Sequence, residues 1–291
     1  MTLSRHFRAA TCLAAIALNL AFWAALLLLL LPAKAVRRSR GWFRRVSNRI
    51  YRAAVRIDNT LLRHVSRAVW SFEELTLDPT RPHIVLANHR SWADVLIVQS
   101  VVATHGPIIV FLGKRELIYM PIFGVIILAF DFPVLRRRTR RGASPATRRD
   151  DDRRRVGEAA TALIESPAAI LSFAEGTRFT EAKRAARGGS YDHLLPPRAG
   201  GVAAMIEALA PGRGTIVDLT LAYPRAVSFW EFLGGAAGPV DVAWEIVPIT
   251  DVAPERVQEW LNDRWQRKDT LLGGTNLMDS DSDLANLSEM E

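Results

Sequence analysis

Three consecutive stretches between residues 83 and 104 decide the fold. His83-Ile84-Val85-Leu86-Ala87 comes first, then Asn88-His89-Arg90-Ser91-Trp92-Ala93-Asp94, then an apolar run to Thr104. After His83 the next four residues are apolar without alternation, the pattern of a strand covered on both faces. A polar turn follows, and Trp92–Thr104 has the composition of a buried helix. The same strand-then-helix order recurs downstream. Further strands are expected at 108–112, 132–136, 169–173, 215–222 and 240–248, and helices at 116–130, 151–165, 200–210 and 254–266. This alternation predicts an α/β fold with a mixed, largely parallel sheet flanked by helices. Chemistry in such folds collects beyond the carboxyl ends of the strands.

Composition narrows the function classes. The chain has 291 residues, 49% of them apolar and 23% charged, which excludes disorder as a description of the whole. A single cysteine, Cys12, excludes an internal disulfide framework and a thiolate metal site. The histidines show neither HxxH nor HExxH spacing, so neither a metal nor another bound cofactor is expected.

The net charge of +8 is unevenly placed. Residues 1–70 carry 13 Lys and Arg against one acid, Asp58, whereas the last 13 residues carry five acids and no base. A basic block of this kind faces an anionic surface. Its apolar content selects a membrane. Residues 9–31 are uncharged and span about 34 Å as a helix, enough for a hydrocarbon core of roughly 30 Å. Ala33-Lys34-Ala35 resembles a signal-peptidase site, but the apolar run exceeds the usual h-region and basic residues follow it. An uncleaved transmembrane anchor over 1–35 is therefore expected. The heavier positive flank follows the span, which puts the remaining chain on the cytoplasmic side.

Residues 36–75 then read as a basic amphipathic interfacial helix. Trp42, Val46, Ile50, Ala54, Ile57, Leu61 and Val65 recur at helical spacing, with arginines on most of the remainder. A helix packed on the following domain, its arginines solvated, fits the same pattern. No helix-turn-helix, zinc-finger or RNP pattern accompanies the arginines, so no nucleic-acid partner is expected. The main α/β domain covers 76–272. The segment 273–291 reads as an acidic, disordered tail.

Two motifs carry candidate chemistry. In Asn88–Asp94, His89 and Asp94 are five residues apart, about 140° around a helix. They meet only if His89 stays in the loop and Asp94 enters the first helical turn. Asp94 then holds one imidazole nitrogen and leaves the other as a base. The bland alternative is helix capping, since Ser91-x-x-Asp94 resembles a capping box. The second motif, Phe173-Ala174-Glu175-Gly176-Thr177-Arg178, also ends a strand. Glycine admits close backbone approach and arginine offers forked donors to phosphate. Alone, it equally describes a turn with a surface Glu–Arg pair.

The order of motifs is more specific than either alone. Asn88-His89 with Asp94, Lys114-x-Glu116-Leu117 with Pro121 and Gly124, Phe132-Pro133 with arginines 136–138, then Glu175-Gly176-Thr177-Arg178 resembles the lysophospholipid acyltransferase family. Within it, NHRSWAD, EGTRFT and LLPPRAG are similar to the bacterial inner-membrane branch that includes lysocardiolipin acyltransferases. The resemblance covers roughly residues 40–270. It implies His89 as general base and Asp94 as its partner. It implies Lys114, Arg137, Glu175, Gly176, Thr177 and Arg178 as residues that bind or shape the lysolipid phosphate site. Pro196, Pro197 and Arg198 match a block tied to the acyl donor or the floor of the site. Three consecutive arginines, 136–138, crowd the second block, and Pro133 stands where many relatives have an aliphatic residue.

The implied activity moves an acyl chain from acyl-CoA or acyl-carrier protein to the free hydroxyl of a lysophospholipid at the membrane. The expected acceptor is 1-acylglycerol-3-phosphate, giving phosphatidic acid, with lysocardiolipin or another lysophospholipid as alternative. Two rivals are a hydrolase using Ser91, which lacks a G-x-S-x-G elbow, and a membrane-anchored, non-catalytic lipid-binding protein.

Overall fold

The computed structural model describes residues 1–111, 113–114, 118–132, 134–135, 145–210 and 214–288. Strands β1 Val69–Phe72, β2 His83–Ala87, β3 Ile109–Phe111, β6 Ala169–Phe173, β7 Thr215–Ala222 and β8 Pro239–Pro248 form one sheet in the order β1-β8-β7-β2-β6-β3. β2, β3, β6 and β7 run parallel, β8 pairs antiparallel with β7, and β1 pairs parallel with β8. The mixed, largely parallel sheet read from the sequence is what forms. Short strands β4 Gly113–Lys114 and β5 Val134–Leu135 make a separate parallel pair.

The apolar run of β2 is explained by its central place, with all five residues buried. Ile84 and Leu86 join one core with Ile170 and Ile216. Helices α5 Pro145–Glu165, α7 Ala199–Leu209 and α9 Val257–Ser288 cover that face. Val85 and Ala87 point the other way, into a second core under α3 Ala93–Ala103 and α8 Phe229–Leu233. Each fully buried Ile, Leu or Val contributes about 1.5–3 kcal/mol. Two-sided burial thus makes β2 the anchor of the sheet, and the loop leaving its carboxyl end inherits that rigidity.

The N-terminal helices differ from the picture of a separate anchor. α1 Leu3–Ala35 is long and apolar enough to cross a membrane by length and composition. Yet it packs along α2 Arg40–Leu61, and both its ends are tied to the body. At one end Arg8 donates to Gly234 O at 3.4 Å; at the other Lys34 Nζ lies 2.7 Å from Asp131 Oδ1, beyond α4 Pro121–Phe130. Midway, the Asn19 amide donates to Ala54 O at 3.0 Å and Asp58 Oδ1 at 2.8 Å. Small residues on one side, Ala9, Cys12 and Ala24, allow this close approach. The opposite side leaves Leu3, Phe7, Leu18, Phe22 and Leu29 exposed.

Four elements depart from the local reading. β1 falls within the stretch read as amphipathic helix and is too short to signal itself. α6 Glu181–Ala186 and α8 are single-turn elements set by their caps, Thr180 and Ser228. α9 continues through the acidic segment that composition marks as disordered, because extending a helix already nucleated costs little.

Candidate active site

Three parallel strands end at one place. β2 delivers His89, β6 delivers Glu175, and β7 delivers Tyr223. Asn88 locks the first to the third: its side-chain amide donates to Leu221 O at 3.0 Å and accepts from Leu221 N at 2.8 Å. His89 remains in the loop, while α3 begins at Ala93 and places Asp94 in its first turn. Under that arrangement His89 Nδ1 and Asp94 Oδ2 lie 2.8 Å apart.

Asp94 is fully buried and accepts from every side. Its Oδ2 also receives the backbone N–H groups of Arg90 at 2.7 Å and Ser91 at 2.9 Å, and its Oδ1 receives Tyr223 OH at 2.6 Å. Capping and histidine-holding are thus one arrangement. The carboxylate that closes the start of α3 is the one that grips the ring. With those three donors bonded to it, Asp94 serves as acceptor, and the imidazole faces it with N–H at Nδ1. Among the described residues no hydrogen-bond partner reaches His89 Nε2. Phe173 lies flat on the ring, with centroids 3.9 Å apart and planes 12° from parallel. A neutral imidazole so held can take a proton from an alcohol placed at Nε2.

The second motif forms the wall. Glu175 is wholly buried; Oε1 accepts from His89 N at 3.3 Å and Oε2 from Leu195 N at 3.4 Å. Those bonds are long and do not offset desolvation, so burial pushes its carboxyl up to about 8. The surface Glu–Arg pair considered from sequence does not form. Arg178 instead lies over the exposed Trp92 ring at 5.1 Å, and Trp92 meets His89 edge-on at 6.4 Å. Gly176 has φ +70°, which favours glycine. Thr177 Oγ1 accepts from Lys183 Nζ at 2.9 Å.

The Leu-Leu-Pro-Pro-Arg block docks on this turn. Arg198 N donates to Ala174 O at 2.9 Å, and the exposed Arg198 side chain runs beside Gly176. Pro197 is buried, its carbonyl accepting from Gln258 at 3.3 Å, and Pro196 is half-buried. The structure therefore gathers His89, Asp94, Glu175, Gly176, Thr177, Arg178 and Arg198 at one sheet edge. The Lys114 side chain and Arg137 lie outside the described residues. Ser91 Oγ accepts from Ala93 N at 3.3 Å, an engagement that does not suit a nucleophile paired with His89.

Sequence reading missed Tyr223 and a support from α9. Asp269 accepts from the amides of Asp192 at 2.8 Å and His193 at 2.7 Å, fixing the loop that supplies Leu195 N. Lys268, buried beside it, lies 2.6 Å from Asp218 Oδ1. These residues sit far from the motifs in sequence, and only a polar residue inside an apolar strand, Asp218, signals them. Among the described residues no three His, Cys, Asp or Glu side chains converge as metal ligands. A cleft of about 520 Å³ lies elsewhere, lined by Lys34, Phe43, Ile108, Phe130 and Ser166 at the amino ends of β3 and β6.

The family model named Acyltransferase matches residues 64–223, more than half of the chain. The chain belongs to this acyltransferase family. The matched span runs from just beyond α2 to Tyr223 and so contains both motifs; α1, α2, β8 and α9 lie outside it. No curated protein matches the chain. Among solved structures, the acyltransferase resembles the crystal structure of the 1-acyl-sn-glycerophosphate (LPA) acyltransferase PlsC from Thermotoga maritima. The TM-score is 0.55 and the identity 14%, over 92% of this chain and 95% of that one. At that identity the likeness is one of fold.

Proposed function

We propose that this acyltransferase moves an acyl chain from a thioester, acyl-CoA or acyl-carrier protein, to the free hydroxyl of a lysophospholipid. Its acceptor is 1-acylglycerol-3-phosphate and its product phosphatidic acid. The observation that carries the reading is the 2.8 Å contact between His89 Nδ1 and buried Asp94, with Nε2 unpartnered among the described residues. His89 Nε2 takes the hydroxyl proton as that oxygen attacks the thioester carbonyl. The C–S bond then breaks and a thiolate leaves, needing little acid assistance. Help of this kind is worth about 10²–10⁴ in rate.

Arg178, with Lys114 and Arg137, holds the acceptor phosphate at a fixed distance from its hydroxyl, turning encounter into alignment. Arg178 is suited to this by its exposure and by its seat on Trp92, one ring away from His89. Glu175 and Gly176 shape the turn without facing the ligand. Pro196, Pro197 and Arg198 form the floor or the donor side.

The enzyme works at the cytoplasmic face of the inner membrane, where thioester donors are available. The exposed stripe of α1, Leu3, Phe7, Leu18, Phe22 and Leu29, is its contact with lipid. A lipid acceptor then enters without leaving the bilayer.

The test offers membranes carrying the protein a panel of lysolipids with acyl-CoA or acyl-carrier protein. Free thiol is followed and products are read by mass. Phosphatidic acid from 1-acylglycerol-3-phosphate, lost in His89→Ala, supports the reading. Thiol release unchanged in His89→Ala overturns the mechanism, and release without any acceptor, lost in Ser91→Ala, points to hydrolysis. Transfer to lysocardiolipin alone moves the assignment of the acceptor.

A further inference from the structure

We propose that Tyr223 is a positioning residue for the reaction, a third member that sets the basicity of the His89–Asp94 pair. The inference rests on the reading of His89 as base. Tyr223 is the first residue beyond β7, whereas His89 and Asp94 come from the loop and helix after β2, so only the sheet brings them together. Its OH donates to Asp94 Oδ1 at 2.6 Å, while His89, Arg90 N and Ser91 N all take Oδ2. Both side chains are buried, with Tyr223 only 4% exposed. Tyr223 is therefore the donor that satisfies the oxygen Asp94 turns away from the imidazole.

The consequence follows from charge. A donor on Oδ1 draws density from the carboxylate and limits how strongly it stabilises an imidazolium. Removing that donor therefore strengthens the hold of Asp94 on a protonated ring, and a stronger donor weakens it. The phenol itself stays protonated, because burial and the neighbouring carboxylate push its ionisation well above the usual range. The other ionisable groups around the pair are Arg90, whose guanidinium lies over Phe179, and Glu175, which accepts from His89 N and whose carboxyl is raised to about 8 by burial. Neither hydrogen-bonds to Oδ1, and among the described residues Tyr223 alone donates to it.

The experiment uses the full chain in membranes and measures kcat and KM for thiol release, with 1-acylglycerol-3-phosphate and acyl-CoA, from about pH 5 to about pH 9. Tyr223→Phe removes one charge-assisted hydrogen bond and leaves the ring. The expected result is a kcat lower by about tenfold at neutral pH with KM changed little. The acid limb of the kcat profile moves to higher pH by about half a unit or more, because the carboxylate now favours the imidazolium more strongly. A loss of packing alone lowers yield and leaves the limb in place.

Incorporation of 3,5-difluorotyrosine at position 223 guards against a misfolded variant. It keeps the shape, strengthens the donor and moves the limb to lower pH. Unmoved limbs in both proteins, with His89→Ala inactive, overturn the role of Tyr223 alone. Activity retained in His89→Ala overturns the base itself, and the two failures are thus told apart.

Discussion

Phe173 covers one face of His89, its ring 3.9 Å away at the last position of β6. The imidazole is thereby fixed in plane by one strand end, in tautomer by Asp94, and in position by the peptide that leaves β2. Fixing all three before substrate arrives removes reorganisation from the chemical step.

Asp94→Asn tests the tautomer. An amide in place of the carboxylate turns one N–H toward donors and releases the Nδ1 proton from its fixed acceptor. We expect kcat to fall by about 10² or more with KM for the lysolipid little changed. Steady-state kinetics on protein with an unaltered melting profile checks this.

Arg178 tests phosphate binding. Arg178→Ala is expected to raise KM for 1-acylglycerol-3-phosphate about tenfold, the loss of one charge-assisted contact, with a smaller effect on kcat. Arg178→Lys keeps charge without the fork and falls between. Removing the platform with Trp92→Ala reproduces part of the KM effect.

Glu175 makes stability fall as pH rises. Its carboxyl is raised from 4.5 to about 8 in the fold by burial. Folded protein therefore retains a proton that unfolded chain gives up. The stabilising contribution is complete below about pH 4.5 and is lost as pH rises through about 8, on the order of several kcal/mol. Thermal unfolding in detergent across that window is expected to show the decline, and Glu175→Gln to flatten it.

Lys268 tests the support beneath the site. It is 3% exposed and lies 2.6 Å from Asp218 Oδ1, while Arg264 holds Oδ2 at 2.8 Å. Lys268→Met leaves the Asp218 carboxylate with one cation and is expected to cost about 3 kcal/mol. Chemical or thermal denaturation reads it directly.

The α1 stripe tests membrane contact. Replacing Leu18, Phe22 and Leu29 together with Gln removes exposed apolar surface and no core packing. The protein is expected to shift from the membrane toward the soluble fraction, with its melting temperature little changed.

Elements with strong local signals were legible. β2, β6 and β7 are rich in apolar and β-branched residues, and the turns after β2 and β6 carry residue types that declare polar work. His89 and Asp94 were legible as a pair because the strand-to-helix boundary between them is written locally. β1 was not, since four residues gain strand geometry only from pairing with β8. The motif alone leaves a surface Glu175–Arg178 pair open, because spacing cannot reveal that one side chain turns inward and its neighbour outward.

By itself, then, the sequence determined the α/β class and the basic apolar N-terminus, set by periodicity and composition within short windows, and offered the His89–Asp94 pairing on condition that α3 begin between them. Only the tertiary structure decided that Tyr223 and Asp269 serve the same site and that α1 lies along the body. These depend on contacts between residues more than 70 positions apart, and no local pattern encodes which strand ends and helices a folded sheet brings together.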